Sequence, residues 1–115
     1  MKIPTPVRNI VLAAFILVMI TIFSLMLFNR NFDGFAQCLK QKGATLYCQE
    51  NDAACDRQLE KFGGSARYLS RVVCEKDSIA CEGITQFPTW EFSDGGQVLG
   101  IQELGQLSKL SGCKI

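Results

Sequence analysis

The chain begins with a long apolar stretch. Residues 10–28, IVLAAFILVMITIFSLMLF, carry no charge, and their only polar members are Thr21 and Ser24. As a helix rising about 1.5 Å per residue, this stretch is long enough to cross a hydrocarbon core of roughly 30 Å. A cleavable signal peptide is the alternative, but the run ends in LMLFNRNF, without the small residues of a cleavage site. The pattern therefore favours an uncleaved transmembrane anchor.

Positive charges indicate how this anchor is oriented. Lys2 and Arg8 precede it, whereas Arg30 alone follows it closely. Because positively charged flanks tend to stay in the cytoplasm, the chain after the anchor is predicted to be extracytoplasmic. The predicted divisions are a cytoplasmic N-terminus over 1–9, a transmembrane signal anchor over 10–29, a short linker over 30–34 and an extracytoplasmic domain over 35–115.

After the anchor, the apolar pattern alternates between helical and extended segments. Asp33 and Asp52 are placed to cap two helices, and Gly43 and Gly112 to end two. The predicted elements are a helix over 33–42, a strand over 44–47, a helix over 52–62, a strand over 67–74, a loop or short helix over 75–84, a strand over 89–92, a hairpin turn over 93–96, a short strand over 97–100 and a helix over 104–111 with Leu104, Leu107 and Leu110 on its apolar side.

The helix over 52–62 has a well-defined apolar face. Cys55, Leu59 and Phe62 fall at i, i+4 and i+7, which places them on the same side of the helix. Charged residues occupy the other side. We therefore expect Cys55 to point inward, and we expect Trp90 of the third strand to be part of the core.

Charge and composition narrow the range of functions. Nine basic and eleven acidic residues lie after Arg30, a net charge of −2, so the basic stripe of a nucleic-acid-binding protein is missing. The chain has no histidine, which removes Cys/His catalysis and the commonest metal ligand. Glu50, Asp52 and Asp56 are interpreted as a solvated turn rather than a cation site. No metal or cofactor is predicted.

All six cysteines lie after the anchor: Cys38, Cys48, Cys55, Cys74, Cys81 and Cys113. An even number in a small extracytoplasmic domain indicates disulfides, which compensate for a small core. Structural zinc sites use closely spaced C-x-x-C pairs, and the chain contains none. Six cysteines allow 15 pairings, so the sequence alone leaves the connectivity open.

The order of elements resembles the thioredoxin-like order. The segments FAQCLKQKGATLY, CDRQLEKFG, VVC, GITQFPTWEF and ELGQLSKLSG closely resemble the thioredoxin-like domain attached to vitamin K epoxide reductase homologues, over about residues 35–112. The resemblance implies a central mixed sheet of about four strands flanked by helices, and an activity that forms and exchanges disulfides outside the cytoplasm. It also implies that Pro88 follows a cis peptide bond, which leaves the backbone of Phe87 free to pair with an extended peptide.

The chain departs from this family at the active-site motif. The four positions of the family's C-P-H-C fall on residues 52–55, so Asp52 stands where the attacking cysteine belongs and Cys55 retains the second. Asp52 cannot form a mixed disulfide, and its charge opposes the helix dipole that would stabilise a thiolate at Cys55. Exchange of the usual kind at residues 52–55 is not expected.

Cys48 is the local partner that remains for Cys55. A bond between them would be a structural link between strand and helix, which we favour, or a relocated redox pair. For Cys74 and Cys81 the resemblance implies a disulfide that holds the loop between them, with a redox shuttle as the alternative. Cys38 and Cys113 are left either to pair, to stay free or to bond to a partner.

Two functions follow from these expectations. The first is a binding module that keeps the groove at Phe87 and Pro88 and holds peptides or a membrane oxidoreductase resembling vitamin K epoxide reductase. The second is a divergent thiol–disulfide oxidoreductase acting on thiol-containing envelope proteins through Cys48 and Cys55, or through Cys74 and Cys81.

Overall fold

Two compact units make up the protein, an N-terminal helix and a domain over Asn31–Ile115. The computed structural model describes residues 2–28, 31–76 and 78–115, with only the backbone for 27 and 28. Helix α1, Thr5–Phe28, includes a span of mean hydropathy 2.5 that is long and apolar enough to cross a membrane. The predicted junction of anchor and linker, at 29 and 30, and Asp77 of the predicted loop lie outside the described residues.

A four-stranded mixed sheet forms the centre of the domain, in the order β2-β1-β3-β4. Strand β1 pairs in parallel with β2 and antiparallel with β3, and β3 pairs antiparallel with β4. The strands are β1 (Thr45–Gln49), β2 (Ser70–Cys74), β3 (Thr89–Glu91) and β4 (Gln97–Leu99). Leu46 of β1 and Trp90 of β3 lie opposite each other, and both are fully buried. The two inner strands therefore supply the core of the sheet.

Helices flank this sheet. They are α2 (Asp33–Gln41), α3 (Ala53–Glu60) and α4 (Leu104–Ser111). Parallel strands need a crossover between the end of one and the start of the next. Here α3 and a 3-10 helix over Gly63–Tyr68 make that crossover from β1 to β2. Gly112 ends α4 with a φ of 76°, a conformation that favours glycine.

Three aromatic rings form a row through the core. Phe35 of α2 stacks on Phe62 with ring centroids 5.9 Å apart, and Phe62 lies 6.1 Å from Trp90. Rings at such separations contribute attraction beyond simple burial. This row joins the first helix of the domain to the central sheet, and the expectation that Trp90 is buried is confirmed.

The second predicted strand is shorter than the sequence pattern suggested. Arg67 and Tyr68 belong to the 3-10 helix, and β2 begins only at Ser70. The prediction of a strand from residue 67 was therefore wrong by three residues. Part of the crossover is made by this 3-10 turn, whose Ser65 is buried, so the chain reaches the sheet later than the apolar run implies.

Two further predictions about helices were wrong. Asp33 is the first residue of α2 rather than its N-cap, and its carboxylate instead accepts a hydrogen bond from Ser65 Oγ at 2.6 Å. Leu110 remains 45% exposed, while Leu107 is fully buried. Residues spaced by three drift around a helix of 3.6 residues per turn, so three leucines at this spacing cannot all face the core equally.

Candidate functional site

The opening part of the site is a strand, a turn and a helix. Strand β1 ends at Gln49, and Asn51 makes the turn with a positive φ of 57°. Asp52 then caps α3, because its Oδ1 accepts a hydrogen bond from the backbone N–H of Ala54 at 2.9 Å. Asn is one of the few residues that tolerates positive φ, and Asp is among the best N-caps. These two residues direct the chain from the sheet into α3.

Cys48 and Cys55 are joined across this turn. Cys48 comes from β1 and Cys55 from the first turn of α3, with Cα atoms 5.7 Å apart. Each of the two residues is only 3% exposed. An attacking thiolate must reach a sulfur atom, and burial on this scale leaves little access. This disulfide has the surroundings of a structural link.

Asp52 occupies the N-cap position of α3. Its carboxylate caps the helix by accepting a hydrogen bond from the N–H of Ala54. It also places a negative charge at the N-terminus of α3, which the helix dipole favours. Cys55 has its sulfur bonded to Cys48, so no thiol is present at this helix end. The strand-turn-helix therefore contains a disulfide in which neither Cys48 nor Cys55 is a free thiol.

A second disulfide lies at the end of β2. Cys74 is the last residue of that strand, and it is bonded to Cys81 of a short 3-10 helix, Ile79–Cys81, with Cα atoms 5.9 Å apart. Cys74 is buried, whereas Cys81 is half-buried. This bond is therefore more accessible from outside the domain than the bond between Cys48 and Cys55.

The segment before β3 contains a cis peptide bond between Phe87 and Pro88. Its neighbours are hydrogen-bonded: Gly100 N–H donates to the Pro88 carbonyl at 2.8 Å, and Thr89 Oγ1 donates to the Gln86 carbonyl at 2.6 Å. Among the described residues, neither the N–H nor the C=O of Phe87 has a hydrogen-bond partner. Pro88 is buried and Phe87 is half-buried.

A cavity of about 510 Å³ brings several of these groups together. The second disulfide, through Cys74 and Cys81, lines one part, and Phe87 and Gln49 line others. Cys48 and Cys55 line a separate cavity of about 220 Å³, which also has Gln49 in its wall. The larger cavity therefore combines Phe87 with the more accessible disulfide, and the smaller one contains the buried disulfide.

Gln58 is the residue that the sequence analysis missed. It is fully buried on α3, where its Oε1 accepts hydrogen bonds from Trp90 Nε1 at 3.1 Å and from Gln102 N–H at 2.6 Å. Its Nε2 donates to the Gln102 carbonyl at 3.0 Å. The available signal was its position three residues after Cys55 on the inward face, but its polar side chain suggested solvent.

The remaining cysteines, Cys38 and Cys113, also form a disulfide, which links α2 to the segment after α4. Among the residues that the structure describes, no group of three histidine, cysteine or carboxylate side chains is arranged to hold a metal ion. The acidic turn at Glu50, Asp52 and Asp56 has no such arrangement either.

No protein-family model matches the chain, and no curated protein sequence matches it significantly.

Proposed function

We propose that residues 31–115 form a thioredoxin-like domain, anchored in a membrane by α1, that binds an extended peptide segment of a partner protein without exchanging disulfides at residues 52–55. The observation that carries the proposal is that Phe87, which lines the 510 Å³ cavity, has a backbone N–H and C=O without a hydrogen-bond partner among the described residues. The partner would be a membrane oxidoreductase resembling vitamin K epoxide reductase, or a thiol-containing envelope protein.

Several features support a thioredoxin-like domain. The mixed four-stranded sheet is flanked by helices, and a disulfide lies at the junction of β1 and α3. A proline after a cis bond precedes β3, and Phe87, on the other side of that bond, lines a cavity that also has two cysteines in its wall. The resemblance noted in the sequence leads one to expect the mixed sheet with its flanking helices and the cis bond before Pro88, whereas the bond between Cys48 and Cys55 lies where the chain departs from the family motif.

An extracytoplasmic position for this domain is part of the proposal. All six cysteines are paired in disulfides, and such bonds persist in oxidising compartments. The basic residues before the span, Lys2 and Arg8, favour a cytoplasmic N-terminus. A C-terminal alkaline phosphatase fusion should be active in a bacterial host, and an inactive fusion would argue for the opposite orientation.

Peptide binding follows from the chemistry of an unpaired backbone. An exposed N–H and C=O on one residue offer the donor and acceptor that an added strand needs, and neighbouring cavities then accept its side chains. Phe87 is half-buried and lines a cavity, and neither its N–H nor its C=O has a partner among the described residues. The buried disulfide beneath Asp52 needs no access for such binding, which agrees with its burial.

Binding can be tested with the full chain in detergent micelles and a fluorescein-labelled heptapeptide of alternating threonine, valine and glutamine. Fluorescence anisotropy should show binding. N-methylation of the peptide on one set of alternating amides should abolish it, because an added strand pairs along one edge only. Methylation of the other set should have little effect.

Protein variants provide a matched comparison. Phe87→Ala removes a wall of the cavity and should weaken binding several-fold, whereas Leu99→Ala changes an exposed apolar residue of β4 outside the cavity and should not. Equal binding by the two N-methylated peptides, or no binding by the unmodified peptide, would overturn the proposal.

Disulfide exchange at Cys74 and Cys81 is the second candidate function, favoured by the half-buried Cys81 on the wall of the same cavity. A partner dithiol would attack this disulfide, the partner's two sulfurs would become bonded, and both cysteines would be released as thiols carrying the two electrons and the protons. The exchange can be measured with dithiothreitol as the dithiol: it reduces Cys74 and Cys81, their thiols then reduce the disulfides of insulin, and the resulting turnover should be lost in Cys81→Ser. The absence of turnover in the parent chain would exclude exchange.

A further inference from the structure

The wall of the proposed peptide site is acidic. The larger cavity is lined by Glu75 and Glu82 and by one basic residue, Lys76. The smaller cavity, which shares Gln49 with the larger one, is lined by three carboxylates and one basic residue: Glu50, Asp52, Asp56 and Arg71. We refer to the described residues that line the two cavities as the acidic face. It carries five carboxylates and two basic side chains.

Among the described residues none of these five carboxylates forms a salt bridge, although Asp52 accepts a hydrogen bond from the N–H of Ala54 at the start of α3. The salt bridges among the described residues join Lys61 to Glu103 and Arg67 to Asp33, and neither includes a residue of the acidic face. Four of the five carboxylate residues are exposed, and the fifth, Asp52, is half-buried. The charges of the four exposed carboxylates are therefore directed to solvent or to a ligand.

Elsewhere in the domain, several carboxylates have partners of their own. Besides Glu103 and Asp33 in the salt bridges, Glu91 accepts hydrogen bonds from Tyr47 and Gln97. The domain as a whole has a net charge of −2, whereas the acidic face alone has a charge of −3. Negative charge is thus concentrated around the two cavities, the larger of which is lined by Phe87.

An apolar side chain stands beside the larger cavity as well. Ile79 follows Ser78 of the cavity wall and is 83% exposed, which is unusual for a side chain of its size. Phe87, on the wall itself, is half-buried. A ligand that runs along Phe87 would therefore meet apolar surface and then negative charge.

We propose that the acidic face selects extended peptide segments rich in lysine or arginine that also carry an apolar side chain. This inference rests on the proposed function, because it assigns the chemistry of the partner for the same site. Charge complementarity of this kind steers association and fixes which partners bind, although each exposed ion pair contributes little by itself.

The test uses three labelled heptapeptides of alternating threonine and valine that differ at two positions, which carry lysine, glutamine or glutamate. With the full chain in detergent, the lysine peptide should bind about fivefold more tightly than the glutamine peptide, since exposed pairs each contribute a factor of about two. The glutamate peptide should bind more weakly than either. Salt well above about 0.1 M should reduce these differences.

Variants in which glutamate is replaced by uncharged glutamine identify the carboxylates that produce the preference for lysine. Glu75→Gln combined with Glu82→Gln should lower the affinity for the lysine peptide by about threefold and leave the glutamine peptide almost unchanged. The matched control, Glu60→Gln with Asp94→Asn, removes two exposed carboxylates outside the acidic face and should change neither affinity. All four positions are exposed, so the fold is retained.

Each outcome discriminates between the two proposals. Equal affinities for the three peptides, or equal effects of the two double variants, would overturn the selection of basic segments while leaving peptide binding intact. Failure of all three peptides to bind would overturn the proposed function, and the inference with it. Preference for the glutamate peptide would contradict the inference directly.

Discussion

Gln58 shows how one polar residue can organise a small core. Its side-chain amide satisfies Trp90 of β3 and both backbone groups of Gln102, which lies between β4 and α4. Buried polar groups are tolerated when they are fully hydrogen-bonded, and within the described residues no buried side-chain N or O atom lacks a partner. Gln58 therefore fastens α3 to two other parts of the domain without breaking the core.

Replacing Gln58 with leucine should destabilise the domain by about 2–4 kcal/mol. The substitution leaves Trp90 N–H and the backbone of Gln102 without partners, and each unsatisfied buried group costs about 1–3 kcal/mol. Urea unfolding of the full chain in detergent can be followed by the fluorescence of Trp90, the single tryptophan. The control Gln106→Leu lies on an exposed position of α4 and should change stability by about 0.5 kcal/mol or less. Similar effects of the two substitutions would contradict this role.

At the level of single residues, the sequence predicts a local role such as helix capping but not a contact with a distant segment. Asp52 was predicted as an N-cap because its short acidic side chain suits that position, and the structure confirms the cap. Gln58 lies on the same side of α3 as its apolar residues, but the neighbouring sequence does not indicate which groups its side chain binds. Trp90 and Gln102 lie 32 and 44 residues away, so only the tertiary fold brings them together.

At the scale of secondary-structure elements, the pairing of β1 with β3 creates a pH-sensitive contact. Tyr47 lies diagonally opposite Glu91, and its hydroxyl donates to Glu91 Oε1 at 3.4 Å. Burial, and then the charge and hydrogen bond of Glu91, raise the pKa of Tyr47 above 10.0. The folded domain therefore holds this proton more tightly than the unfolded chain does.

The stability of the domain should accordingly decrease at high pH. Below about pH 10, Tyr47 is protonated in both states and contributes no pH dependence. As the pH rises further, the unfolded chain loses the proton first, so the free energy of unfolding falls until the pH passes the pKa of the folded state. Urea unfolding across this range should show a smaller decrease for Tyr47→Phe than for the parent chain.

The substitution Glu91→Gln separates the two causes of the raised pKa of Tyr47, which are its burial and its interaction with Glu91. This variant removes the charge of Glu91 but leaves the burial of Tyr47, so the decrease should become smaller without disappearing. Identical pH profiles for the parent chain and Tyr47→Phe would show that this contact does not contribute.

The helices and strands were predictable wherever the apolar residues followed a single periodicity, either that of a helix or that of a strand. The amphipathic face of α3 and the turn before β4 have strong local signals. The boundary of β2 was not predictable, because Arg67 and Tyr68 suit a strand by composition but take part in a 3-10 turn. Their environment is set by α2, where Asp33 lies 3.6 Å from the guanidinium of Arg67. Such contacts between distant segments override local preference.

At the scale of the whole molecule, three disulfides divide into two classes. Cys48–Cys55 and Cys74–Cys81 each close a short loop with a sequence separation of 7, beside the two cavities. Cys38–Cys113 spans a separation of 75 and ties α2 to the segment after α4. A small domain gains much from such cross-links, and the entropy that a disulfide removes from the unfolded chain grows with the loop.

This difference predicts a ranking of stability. Cys38→Ala with Cys113→Ala should destabilise the domain by about 4 kcal/mol, whereas Cys48→Ala with Cys55→Ala should cost only about 2 kcal/mol, as expected from loop closure. Denaturant unfolding of the full chain would measure both, with Cys74→Ala and Cys81→Ala as the matched short-loop control. A cost for Cys48 and Cys55 equal to that of the long loop would contradict the ranking.

If the bond between Cys48 and Cys55 is purely structural, the folded variant lacking it should still bind the heptapeptide, because that binding depends on Phe87 and on neither of these sulfur atoms.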